Sequence, residues 1–177
     1  MKIAVITAVV FCLLALALRI GHASETPQVG SAAPDFTLAD QSSQKQSLKN
    51  YAGKWVVLYF YPKDDTPGCT KEACSFRDDL TQLEKLGAKV LGISVDDTES
   101  HMKFASKYHL PFPLLSDHDG SVAEQYGALN NFGIIKVAKR YTFLIDPHGR
   151  IAKIYQSVDT SRHSQDIIQD LKKMLNP

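Results

Sequence analysis

The chain is 177 residues long, 44% hydrophobic and 22% charged, with a formal net charge of +1. That balance is too apolar for a disordered chain and too neutral for a nucleic-acid surface, and it fits one domain. The sequence has no glycine-rich phosphate loop, dinucleotide fingerprint, Gly-x-Ser-x-Gly nucleophile motif or internal repeat.

In chain order, Lys2 leads into an apolar run from Ile3 to Leu18, and Gly21-His22-Ala23 sets small residues at cleavage spacing. This reads as a secretory signal peptide, residues 1–23, and predicts a periplasmic or otherwise exported protein. Arg19, close to the cleavage region, departs from the usual pattern, and an uncleaved membrane anchor stays open as the alternative. Cys12 lies inside the apolar run without the small-residue context of a lipid-modified cysteine, so it leaves with the signal. Residues 24–31 then make a polar, flexible tail, and the folded domain covers residues 32–177 from Ala32 onward.

Asp35 to Leu38 and Gln44 to Leu48 flank a polar turn and predict two short strands. Trp55 to Tyr61 is nearly continuous in apolar residues, the pattern of a central strand buried on both faces, and Pro62 ends it. A helix follows from Pro67 to about Leu86. Thr66 is a favoured N-cap type, Pro67 suits the first helical position, and Gly87 is a common stop. Cys69, Ala73, Phe76, Leu80 and Leu83 fall on one face of it. Lys89 to Val95 completes a β-α-β unit. Met102, Ala105 and Tyr108 with Phe104 predict a helix over 98–108, and Pro111-Phe112-Pro113 forces an extended stretch before Leu114 to Ser116. Val122 to Tyr126 makes a helical turn or two. Tyr141 to Ile145 and Ile151 to Tyr155 bracket Asp146-Pro147-His148-Gly149, which suits a type I turn. Ile167, Ile168, Leu171, Met174 and Leu175 give an amphipathic C-terminal helix. The order β-α-β, α, β-β-α predicts a thioredoxin-like α/β fold, a central mixed sheet flanked by helices on both faces.

Cys69 is the third helical residue. Unpaired N–H groups and the helix dipole at that end favour an anionic sulfur, and the thiolate is the nucleophilic form. Cys74 follows five residues on. Helix geometry puts the two Cα atoms roughly 8 to 9 Å apart on faces about 140° apart. A disulfide wants less than ~7 Å, so joining them requires the first turn or two to unwind. In an exported chain the plainer reading of a cysteine pair is a structural disulfide. Against it, so short a loop restricts the unfolded chain little, and the bond would break the predicted helix.

Pro62, Thr66 and Cys69 match the P-x-x-x-T-x-x-C pattern of peroxiredoxins, and Cys74 at C-x-x-x-x-C resembles the peroxiredoxin Q, or bacterioferritin comigratory protein, subfamily. Asp35-Phe36-Thr37-Leu38, the Trp55 to Tyr61 strand, Ser116-Asp117 and Arg140 to Asp146 fall in the subfamily's order, so the resemblance covers about residues 29–177. It implies a thiol-dependent peroxidase acting on hydrogen peroxide and alkyl or other organic hydroperoxides. Cys69 becomes a sulfenic acid, Cys74 resolves it as an intramolecular disulfide, and a thioredoxin- or glutaredoxin-type protein supplies the electrons. The resemblance implies no cofactor, metal or nucleic acid, and a monomer suffices because one helix carries both cysteines.

Each remaining site residue has a plainer reading beside the implied one. Thr66 caps a helix; the resemblance adds a hydrogen bond to the sulfur and the peroxide. Pro62 ends a strand; the resemblance makes it a shield over the sulfur. Arg140 alone is a surface arginine; the resemblance pairs it with the thiolate, with Lys139 and Arg77 as alternatives. Glu72 is a helix-surface acid, although related enzymes use an acid at this spacing to orient an arginine. His101, His109, His118, His148 and His163 lack metal-ligand spacing, which predicts exposed or turn positions. Asp117-His118-Asp119-Gly120 lacks the remaining acids of a calcium loop and reads as a turn. Two rival functions stand: a thioredoxin-like thiol-disulfide oxidoreductase, against which the four-residue spacer counts, and a non-catalytic module with a permanent disulfide.

Overall fold

The computed structural model describes residues 26–176. The signal segment and Cys12 lie outside the described residues. Among the described residues nine strands and four helices follow in order: β1 Thr37–Asp40, β2 Lys45–Ser47, β3 Trp55–Phe60, α1 Pro67–Lys85, β4 Ala88–Ser94, α2 Thr98–Tyr108, β5 Leu114–Ser116, α3 Ser121–Gln125, β6 Leu129–Asn131, β7 Lys136–Ala138, β8 Thr142–Ile145, β9 Ile151–Tyr155 and α4 His163–Leu175. A 3-10 turn, Leu48–Tyr51, links β2 to β3.

Seven strands form one sheet in the order β2-β1-β5-β4-β3-β8-β9. The apolar β3 lies between parallel β4 and antiparallel β8, with Leu58 opposite both Leu91 and Phe143. Side chains alternate along it as the pleat requires. Val57 and Tyr59 join Val90, Leu114 and Leu144 beneath α1, α2 and α4, while Val56, Leu58 and Phe60 join Leu91, Ile93, Phe143 and Ile145 beneath α3. Helices therefore cover both faces of a mixed sheet as expected, but unequally: three longer ones on one side, a short one on the other. Gly92 of β4 makes room for this packing. A Cβ there would meet both the Tyr59 ring and Leu114 at 2.8 Å, and Tyr59 in turn lies 4.9 Å, ring to ring, from Phe76 of α1.

Differences from the expected elements have local causes. Chain order begins earlier than Ala32, because Gly30 N–H donates to Ile151 (2.7 Å) and Ile151 N–H to Ser31 (2.9 Å); backbone pairing holds a tail whose composition reads as flexible. On α2 the buried stripe is His101, Phe104 and Ala105, and Met102 is exposed. Asp117 does form a turn, and its carboxylate also accepts the N–H groups of Val122 and Ala123 at 3.1 and 2.7 Å, capping α3. The β6–β7 hairpin has no counterpart among the expected elements. Its strands are three residues each and do not join the main sheet, and its tip exposes Phe132, Ile134 and Ile135. Among the described residues no helix is long and apolar enough to cross a membrane.

Candidate active site

The site forms where β3 runs out and α1 begins. Pro62 follows Tyr61 directly and is half-buried; Thr66 holds an extended conformation, and Pro67 opens the helix. Thr66 caps by position and not by its side chain. Its Oγ1 donates to the Lys63 carbonyl at 3.0 Å, within the loop, while its own carbonyl accepts Thr70 N–H at 2.8 Å. The sequence-based cap is corrected on this point: the hydroxyl stiffens the approach to the helix and leaves the first-turn N–H groups free for another acceptor.

Cys69 stands in that first turn and is 1% exposed. Arg140, carried to the same end of the sheet by the residues just before β8, sets Nη2 3.2 Å from Cys69 Sγ. Its Nη1 binds the Glu72 carboxylate. Gly68 lets the guanidinium come close: a Cβ at that position would lie 3.3 Å from Arg140 Nη2. The rival cations are engaged elsewhere. Lys139 Nζ donates to the Gly127 carbonyl at 3.0 Å, and Arg77 is held by Asp78 at 2.8 Å and the Tyr108 carbonyl at 2.7 Å.

Glu72 is fully buried and not a surface acid, because helix position alone does not reveal a cation arriving from residue 140. Burial pushes its carboxyl up to about 7, and Arg140 opposes that rise. Burial also works against the Arg140 cation, but Glu72 and Cys69 outweigh it and hold the guanidinium above its usual range. Arginine, sulfur and carboxylate thus form one coupled unit, with Glu72 Oε1 lacking a hydrogen-bond partner. A fixed cation against a buried sulfur stabilises negative charge wherever it develops nearby.

Cys74, five residues further along α1, is half-buried; both cysteines are free thiols. Two expected surface histidines are buried instead. His163 at the start of α4 bonds Thr142 Oγ1 through Nε2 at 2.8 Å, and burial pushes its pKa down to about 4. His101 lies against Asp64 of the loop before Thr66. Among the described residues no group of three or more His, Cys, Asp or Glu side chains could hold a metal ion.

The family profile described as "AhpC/TSA family" matches residues 29–154. The chain belongs to this family. In the AhpC/TSA family its relatives include a putative peroxiredoxin bcp of Coxiella burnetii, 50% identical over 145 residues, which cover 80% of this chain and 96% of that one. A chloroplastic peroxiredoxin Q of Arabidopsis thaliana is 48% identical across 81% of this chain, and the match spans 66% of the plant protein's length. Solved structures agree: peroxidoxin BcpB of Mycobacterium tuberculosis superposes with a TM-score of 0.80 at 35% identity, covering 84% of this chain and 98% of its own. The Xanthomonas campestris bacterioferritin comigratory protein, whose structural study concerns alkyl peroxide reduction, gives 0.76 at 33%, covering 84% and 97%. This AhpC/TSA protein is a thiol-dependent peroxidase, an oxidoreductase on a thioredoxin-like fold.

Proposed function

We propose that Cys69 is the peroxide-reacting sulfur, acting on hydrogen peroxide and alkyl hydroperoxides. The observation that carries this is the Arg140 guanidinium 3.2 Å from a buried sulfur in the first turn of α1. The Cys69 thiolate attacks the terminal peroxide oxygen. The O–O bond breaks, the leaving oxygen takes a proton as water or alcohol, and Cys69 keeps the other oxygen as a sulfenic acid. Arg140 and the free N–H groups of the helix start hold the peroxide and offset the developing charge, Thr66 braces the loop through its hydroxyl bond to the Lys63 carbonyl, and Pro62 keeps bulk water from the sulfur. The Cys74 thiol then displaces the sulfenic oxygen as water and forms the intramolecular disulfide. Since both thiols sit on one continuous helix, that step requires the turns bearing them to open. A thioredoxin- or glutaredoxin-type dithiol reduces the bond and restores both thiols. The enzyme works as a monomer in an exported compartment, with residues 1–23 as its signal.

The test mixes the pre-reduced mature protein with one equivalent of hydrogen peroxide in stopped flow, with mass mapping of the products. Rapid formation of a Cys69–Cys74 disulfide is expected. Cys74→Ser retains one turnover and loses recycling, and Cys69→Ser loses both; normal peroxidase rates in Cys69→Ser would overturn the assignment.

A further inference from the structure

Asp64 lies between Pro62 and Thr66, on the loop that leads into the cysteine, and is almost fully buried. A carboxylate in such a place is tolerated only with donors around it. It has three: Tyr61 Oη at 2.7 Å, Ser100 Oγ at 2.7 Å and His101 Nδ1 at 2.8 Å. Two of the three come from α2. The backbone N–H of Asp64 is also engaged, donating to Asp96 Oδ2 at 2.9 Å. Asp65, the next residue, adopts a left-handed conformation with φ 55°, which a non-glycine residue takes only with support. Its carboxylate meets the other end of α2, at Lys107 Nζ (2.7 Å) and Tyr108 Oη (2.6 Å). Two consecutive acids therefore fasten the loop to the first and last turns of one helix.

His101 is the informative member. Its side chain has no exposure, and Nε2 has no hydrogen-bond partner. Leaving a buried polar atom unpaired carries a penalty that an apolar residue of the same size would avoid. Among the described residues the ring's hydrogen-bond partners are both at Nδ1: Asp64, and at 3.3 Å the Tyr61 hydroxyl, which already donates to Asp64. An imidazole here therefore serves Asp64 more than it serves the core. We infer that His101 is a positioning residue: through Asp64 it fixes the Pro62–Thr66 loop, and so the wall of the peroxide site, without touching the reacting atoms. This rests on the proposed chemistry at Cys69, since that is where a misplaced loop would be felt.

The experiment compares wild type, His101→Leu, His101→Asn and Asp64→Asn by hydrogen-exchange mass spectrometry on the reduced protein and by stopped-flow peroxide oxidation. Asparagine keeps an N–H near the Nδ1 position; leucine does not. His101→Leu and Asp64→Asn are expected to speed exchange over residues 63–69 by about tenfold or more, with α4 and β3 at wild-type rates, and to slow the peroxide step by a similar factor. His101→Asn returns both toward wild type. Wild-type exchange in the loop of both His101→Leu and Asp64→Asn overturns the inference, as does faster exchange spread over the whole fold. The exchange arm does not depend on peroxide chemistry, so a wild-type protein that is slow with peroxide counts against the Cys69 assignment while the loop result still decides the role of His101.

Discussion

Helix α1 is one hydrogen-bonded helix made of two unlike segments. Residues 67–74 carry both thiols, place only the small Cys69 and Ala73 side chains in the core, and are clamped from outside by Arg140 on Cys69 and Glu72. Residues 75–85 are held by packing and by a short hydroxyl chain: Phe76 and Leu83 are fully buried, and Ser75 donates to Ser164, which donates to Asp79 at 2.6 Å. The difference teaches where the helix can open. Large apolar side chains such as Phe76 and Leu83 cannot be released without exposing the core, whereas the polar clamp on the first segment depends on a sulfur charge that the proposed reaction at Cys69 changes. Opening for a Cys69–Cys74 bond is thus expected to stop near Ser75.

Four substitutions break or sharpen that contrast. Phe76→Ala strikes the packed segment and should cost about 3–5 kcal/mol, read by denaturant unfolding; a loss below about 1 kcal/mol would remove the argument for a fixed second segment. Arg140→Leu strikes the polar segment. It should slow the peroxide step by about 10²- to 10³-fold, the usual effect of removing one preorganised donor to developing charge, and a near-normal step in stopped flow would show that the clamp is not used in the reaction.

Glu72→Gln tests the charge in the clamp. Burial lifts the Glu72 carboxyl from 4.5 to about 7, so between those values the folded protein holds a proton that the unfolded chain has released. The contribution to stability is therefore fully present below about pH 4.5 and is lost as pH rises through about 7. Unfolding free energy of the wild type, measured relative to Glu72→Gln, should fall by on the order of 3 kcal/mol across that window. A difference that stays flat with pH would contradict a raised carboxyl at this place and leave Arg140 offsetting the whole effect of burial. Ser164→Ala is the mildest: about 1 kcal/mol of stability from the lost hydroxyl chain, with peroxide oxidation unchanged. If disulfide formation also keeps its wild-type rate, the boundary at Ser75 rests on Phe76 alone.

Much of this was legible because it follows local rules. Thr66, Pro67 and the stripe from Cys69 to Leu83 announce where α1 starts and which way it faces, and the spacing to Cys74 follows from helix geometry alone. The family pattern of Pro62, Thr66 and Cys69 was equally plain, and the profile match is consistent with it. What stayed hidden were polar groups whose burial is decided far along the chain. Glu72 looks like a surface acid by its place on the helix, and only the family resemblance offered it an arginine to orient; that arginine, Arg140, arrives 68 residues later. His101 replaces an apolar residue on α2's inner face because Asp64 waits there, and a hydropathy pattern shifts the stripe onto Met102 instead. The β6–β7 hairpin gave no signal because its strands are short and its one turn glycine, Gly133 with φ 79°, has no flanking alternation.

Gly92 carries a consequence for how natural variants would be read. It lies on a strand remote in sequence from the cysteine, touches no proposed substrate, and would be passed over by any ranking that scores substitutions by their distance from the reacting sulfur. Yet a single methyl group there would strike Tyr59 and Leu114 together, and the Tyr59 ring packs at a tilt against Phe76, the first large apolar anchor after the opening segment of α1. An inherited alanine at position 92 would look innocuous on paper, yet it would have to displace the Tyr59 and Leu114 side chains, and the displaced ring is the one that packs against Phe76.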